Sequence, residues 1–92
     1  MEASTAFRRS SRQVSCDLNG EAAILQLDQS VYFGLTGVGA SVWAALETPR
    51  SMAELESMVR REFDVDADRC ASDLMQFLIQ LQEAGLVETF KP

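Results

Sequence analysis

The sequence predicts one α+β domain, a three-stranded antiparallel meander followed by three helices, the last two joined in the manner of a helix-turn-helix. Three observations carry that prediction. Residues 12–35 hold short alternating runs cut by Asn19-Gly20, the strongest short hairpin signal. At Thr36 the apolar period changes from two to that of a helix. Two later helix starts are marked, one by the S-x-x-E box of Ser51 and Glu54, the other by a cap at Asp66 or Asp68.

In the first predicted strand, residues 12–18, Val14, Cys16 and Leu18 alternate with polar neighbours. A two-residue turn at Asn19-Gly20 sets Cys16 opposite Ala23 and Val14 opposite Leu25 in the second strand, so apolar meets apolar on what reads as the buried face. The next turn, near residues 28–30, decides the face of the third strand, because a slip of one residue inverts every side chain. A three-residue loop places Val31, Phe33 and Leu35 beside Leu27, Leu25 and Ala23 and leaves Tyr32 outside, whereas a two-residue turn buries Tyr32. Thr36 is placed to cap the first helix, residues 36–47, with Leu35, Val38, Val42, Trp43 and Leu46 along one side.

The second helix turns Met52, Leu55, Met58, Val59 and Phe63 inward. The third runs to Ala84, with Gly85 as its stop, and its apolar stripe of Cys70, Ala71, Leu74, Phe77, Leu78 and Leu81 spans about 120° of arc. Leu86, Val87 and Phe90 add a last extended segment to the core. Residues 1–11, rich in Ser, Ala and Arg, read as a flexible basic tail, with the folded domain spanning 12–90 and Pro92 ending a short second tail.

Composition excludes several functions. At 92 residues there is room for one core, and a chain of this size buries only about 60 to 65% of its unfolded surface. The net charge of −6 opposes nonspecific binding to phosphate backbones. The absence of His removes Ser-His-Asp and Cys-His nucleophile systems and His-based metal sites, so no catalytic residue, metal site or cofactor is expected. Gly34, Gly37 and Gly39 match no phosphate loop, and Asp64, Asp66 and Asp68 lack the Gly and Glu of a calcium loop. Cys16 and Cys70 read as a reduced pair. Arg8-Arg9 precedes no apolar segment, and the expected compartment is the cytoplasm, without membrane contact.

What remains is an edge. The third strand is last in the meander, and Ser30-Val31-Tyr32-Phe33 carries no Lys or Pro to protect unpaired backbone groups. Either another element or a second copy covers it, or a guest peptide adds a strand there.

The run Val31-Tyr32-Phe33-Gly34-Leu35-Thr36-Gly37-Val38-Gly39-Ala40-Ser41-Val42-Trp43, followed by Val65, Asp73-Leu74, Phe77-Leu78, Leu81 and Gly85-Leu86-Val87, resembles the PqqD-like family. The likeness extends over residues 12–88, and Thr36 stands where that family often has Asn. It implies a winged helix-turn-helix-like RiPP recognition element, non-catalytic, which binds the leader of a ribosomal precursor peptide. The first of these runs is most similar to the discrete leader-binding proteins of lasso-peptide pathways, whose partners are a leader peptidase of the transglutaminase-like cysteine protease type and an asparagine-synthetase-like cyclase. The resemblance nominates Ser30, Val31, Tyr32 and Phe33 for the added strand and Arg69, Cys70, Asp73, Leu74 and Phe77 for a cleft on the third helix. The alternatives are a winged-helix DNA-binding regulator and a peptide chaperone of the pyrroloquinoline quinone pathway. Against DNA, residues 64–84 hold one positive side chain, Arg69, among Asp64, Asp66, Asp68, Asp73 and Glu83.

Overall fold

A computed structural model describes residues 4–90. It contains β1 (Ala6–Arg9), β2 (Gln13–Leu18), β3 (Glu21–Gln26), β4 (Val31–Leu35), α1 (Gly37–Ala45), β5 (Arg50–Ser51), α2 (Met52–Glu62), α3 (Ala67–Glu83) and β6 (Val87–Phe90). The architecture is α+β, with the expected meander β2-β3-β4 and three helices. A second antiparallel sheet, ordered β5-β1-β6, joins the beginning of the chain to its end.

That second sheet corrects the reading of residues 1–11 as a loose tail. Ala6 pairs with both Ser51 and Phe90, Arg9 pairs with Val87, and Phe7 is fully buried. The domain therefore begins before residue 12. Residues 1–3 of the expected tail, and the short one ending at Pro92, lie outside the described residues. The expected last segment is β6; Arg8 Nε donates to Glu88 Oε1 across its ladder at 2.8 Å.

Asn19 and Gly20 both take left-handed backbone in the β2-β3 turn, and the predicted register holds, with Cys16 opposite Ala23 and Val14 opposite Leu25. The predicted inner face does not hold. Ala22, Ile24 and Gln26 point into the protein, while Val14 and Leu18 are more than half exposed and Cys16 faces solvent. β3 is apolar on both faces, so alternation alone could not choose between them. The packing of α1 against β3 selects the Ala22-Ile24 face.

The loop from β3 to β4 has four residues, one more than expected, so Val31, Phe33 and Leu35 pair with Gln26, Ile24 and Ala22. Gln26 stabilises this loop although it is buried: its Oε1 accepts from the Gln29 N–H at 2.8 Å and its Nε2 donates to Asp28 at 3.3 Å. Tyr32 remains outside, 75% exposed, the outcome expected of the three-residue loop, because the longer loop and the opposite inner face of β3 offset each other.

Thr36 occupies the N-cap of α1 with extended backbone, but its side chain makes no capping bond, which corrects the expected hydroxyl cap. The capping box of α2 is complete: Ser51 Oγ accepts from the Glu54 N–H and Glu54 Oε1 accepts from the Ser51 N–H. Asp66 caps α3 by accepting from the Arg69 N–H, and Gly85 follows with a φ of +76°. Phe7, Ile24, Val42, Leu46, Leu55, Leu78 and Leu86 form the centre of one core, reached by every helix and both sheets. No helix among the described residues is long and apolar enough to cross a membrane.

Candidate functional site

β4 lies at one edge of its sheet, so one row of its backbone groups has no strand beside it. Which row follows from the ladder. The Leu27 N–H donates to the Arg12 carbonyl at 3.0 Å, so at Leu27 the backbone of this strand faces β2. Backbone direction alternates along a strand, so Leu25 and Ala23 also face β2 while Gln26, Ile24 and Ala22 face β4. Their partners Val31, Phe33 and Leu35 bond inward, and Tyr32 and Gly34 carry the N–H and C=O groups that point to the open edge. Of the residues nominated for the added strand, Tyr32 supplies the free backbone groups. Val31 and Phe33 are engaged with β3 and lend side chains to the inner face; Ser30, with a φ of +55°, closes the loop before the strand. Gly34 was missed as a ladder residue because outward direction depends on pairing, which a single strand does not display.

The α3 nominees come together. Arg69, Cys70, Asp73, Leu74 and Phe77 recur every three or four residues, hence on one helix face, and line a cleft of about 280 Å³ with Val38, Gly39, Val59 and Val65. None of Ser30, Val31, Tyr32 and Phe33 lines it. Edge and cleft meet through Leu35, the last residue of β4, whose Cδ2 lies 3.8 Å from the point where a Cβ on Gly39 would sit, with the Phe77 ring 3.3 Å from that same point. Val38 and Val65 are each more than a third exposed, and Val65 stands alone between two aspartates. An isolated valine in an acidic connector was the sequence signal for this wall.

The cleft is apolar inside and charged at its rim. Leu74 and Val59 are buried, and Cys70 donates weakly to the Glu56 carbonyl at 4.0 Å. Burial pushes the Cys70 thiol up, and the nearby Glu56 carboxylate adds to the shift, so the thiol is neutral at pH 7 and behaves as apolar wall. Arg69 Nε and Asp73 Oδ2 pair at 3.5 Å, both side chains more than two-thirds exposed. Such a surface pair contributes at most about 1 kcal/mol and leaves both groups able to change partners. The arrangement suits an apolar side chain seated in the cleft with a polar backbone beside it.

A second hollow of similar size, about 290 Å³, lies between the β2-β3 hairpin and α1, lined by Arg9, Asp17, Glu21, Trp43 and Glu47 among others. Its mixed charges make it the poorer receptor for an apolar side chain. Among the described residues no cluster of three or more His, Cys, Asp or Glu side chains could hold a metal ion.

The model of the coenzyme PQQ synthesis protein D (PqqD) family matches residues 21–87. A solved structure of TbiB1 in complex with the TbiA(beta) leader peptide is similar, with TM-score 0.83 and 30% identity over 92% of this chain and 99% of that one. A lasso peptide synthetase B1 complexed with its leader peptide shares the fold, with TM-score 0.77 and 18% identity over 89% and 96% of the two chains. No curated protein matches the sequence.

Proposed function

We propose, since the chain belongs to the PqqD family, that it captures the leader of a ribosomally made precursor peptide without catalysis and delivers it to processing enzymes. The observation that carries this reading is the junction described above, an open β4 edge beside an apolar cleft. The leader would add as a further antiparallel strand, bonding Tyr32 and Gly34, while alternate side chains turn past Val31 and Phe33 toward Cys70, Leu74 and Phe77. Arg69 and Asp73 would meet polar or charged leader groups at the rim. The leader-bound state of the 30%-identical TbiB1 structure supports the same reading.

Magnitudes favour an anchored strand over a bare ladder. Each backbone hydrogen bond contributes about 0.5 to 1.5 kcal/mol net, and micromolar binding requires about 8 kcal/mol beyond the cost of association. Bonds to two residues fall short of that. Burying an apolar side chain adds about 1.5 to 3 kcal/mol, so the cleft is needed as well as the edge.

In the lasso-peptide version of this reading, the recipients are a leader peptidase of the transglutaminase-like cysteine protease type and an asparagine-synthetase-like cyclase, acting in the cytoplasm. The family description favours a second pathway, pyrroloquinoline quinone synthesis. Titrating fluorescently labelled leaders of the precursors encoded beside the gene tests both, the pathway being the one whose leader saturates at micromolar concentration or below. If no such leader binds while duplex DNA shifts at physiological salt, the capture reading is wrong.

A further inference from the structure

We propose that Gly39 and Phe77 together set the depth of the cleft, making Gly39 the position that decides how bulky an apolar side chain the site accepts. This rests on the reading of the cleft as a receptor for a peptide side chain.

Gly39 lies inside α1 and does not adopt left-handed backbone, unlike Gly37 before it, with a φ of +56°. At this first-turn position glycine is a weaker helix former than alanine, and no conformational need explains it. Space does. A Cβ at this position would lie 3.3 Å from Phe77 Cζ and 3.4 Å from Cε1, closer than carbon atoms pack at their optimum of about 3.5 to 4.0 Å. The missing methyl lets the Phe77 ring lie against the backbone of α1. Both residues line the cleft, so a methyl added at Gly39 occupies part of its volume and displaces the ring that forms its wall. With Leu74, Val59 and the neutral Cys70 thiol as the other apolar surfaces, the side chain admitted is Leu-sized or aromatic, and uncharged.

The test uses the full chain with ¹³C-labelled valine methyl groups, reading Val38, Val59 and Val65 by NMR while N-acetyl-leucine amide or N-acetyl-alanine amide is added. The expected result is saturable shifts with the leucine derivative and much weaker ones with the alanine derivative. Gly39→Ala should weaken the leucine derivative about tenfold while leaving the alanine derivative unchanged, and Phe77→Leu in that background should restore it. Phe77→Leu alone, which requires no new contact at α1, should tighten N-acetyl-phenylalanine amide. Circular dichroism confirms that each variant is folded. Equal losses for both amides on Gly39→Ala, no tightening by Phe77→Leu, or a wild-type cleft that the leucine derivative does not enter would overturn the proposal. If the amides are discriminated and no precursor leader binds, leader capture fails and the size filter stands. If leaders bind and Gly39→Ala changes neither leader nor amide affinity, the filter fails and capture stands.

Discussion

The guanidinium of Arg9 lies 4.5 Å from the centroid of the Trp43 ring while one of its terminal nitrogens donates to the Trp43 carbonyl at 2.6 Å. One side chain thus fastens β1 to the last turn of α1, where the carbonyl end of a helix favours a cation. Burial lowers the Arg9 pKa and the Glu47 carboxylate opposes that shift, but a guanidinium remains charged at any pH the fold survives.

Arg9→Ala should therefore lower the free energy of unfolding by about 1 to 2 kcal/mol, from the lost stacking and the lost charge-assisted hydrogen bond to a carbonyl that keeps its bond from the Leu46 N–H. Phe7→Ala, at a fully buried position two residues earlier, should cost about 3 to 5 kcal/mol. Urea titration followed by Trp43 fluorescence measures both. Midpoints unchanged from wild type would return residues 6–9 to the status of a tail.

Two proline substitutions one residue apart test the direction of the β4 backbone. The Tyr32 N–H points to the open edge, so Tyr32→Pro should abolish leader capture and leave the domain folded, as proline is tolerated on edges. The Phe33 N–H bonds to β3, so Phe33→Pro should lower the thermal midpoint sharply. Binding by Tyr32→Pro equal to wild type would mean that the guest docks elsewhere.

Asp73→Ala should weaken leader binding several-fold with almost no change in thermal midpoint. Its pair with Arg69 is exposed and contributes at most about 1 kcal/mol to the fold. A large drop in melting temperature would assign Asp73 to structure instead.

Acid should destabilise the domain through two carboxylates. The backbone N–H and hydroxyl of Ser51 hold Glu54 below the ordinary carboxylate range, and hydrogen bonds from Arg12 and Gln26 do the same for Asp28. A depressed folded-state pKa means that the stabilisation is fully present above the unfolded-state value near 4, and is lost as pH falls through the lower folded-state value. Urea midpoints measured from pH 6 to pH 3 should fall at the acid end, and Ser51→Ala should flatten part of that fall. A midpoint that stays level to pH 3 would contradict both linkages.

The parts of this protein written in short stretches were legible from residues alone. The Asn19-Gly20 turn, the Ser51-Glu54 box, the Asp66 cap and the Gly85 stop each depend on atoms within a few residues of one another, and each is found where the sequence predicts it. The apolar stripe through Cys70, Leu74, Leu78 and Leu81 was legible for the same reason, since a helix puts residues three and four apart on one face, whereas Arg69 and Asp73 were nominated only by the family resemblance.

What sequence alone determined was therefore the kind and order of most elements and the apolar stripe of α3. Only the tertiary structure decided that Ala6–Arg9 is a strand, because its partners Arg50–Ser51 and Val87–Phe90 lie some 40 to 80 residues away and its four residues carry no pattern of their own. It also decided the inner face of β3, the four-residue loop that follows, and the outward turn of the Tyr32 and Gly34 backbone groups. Those choices compare two nearly equal apolar faces, and the difference between them arises from helices that pack there only once the chain has closed on itself.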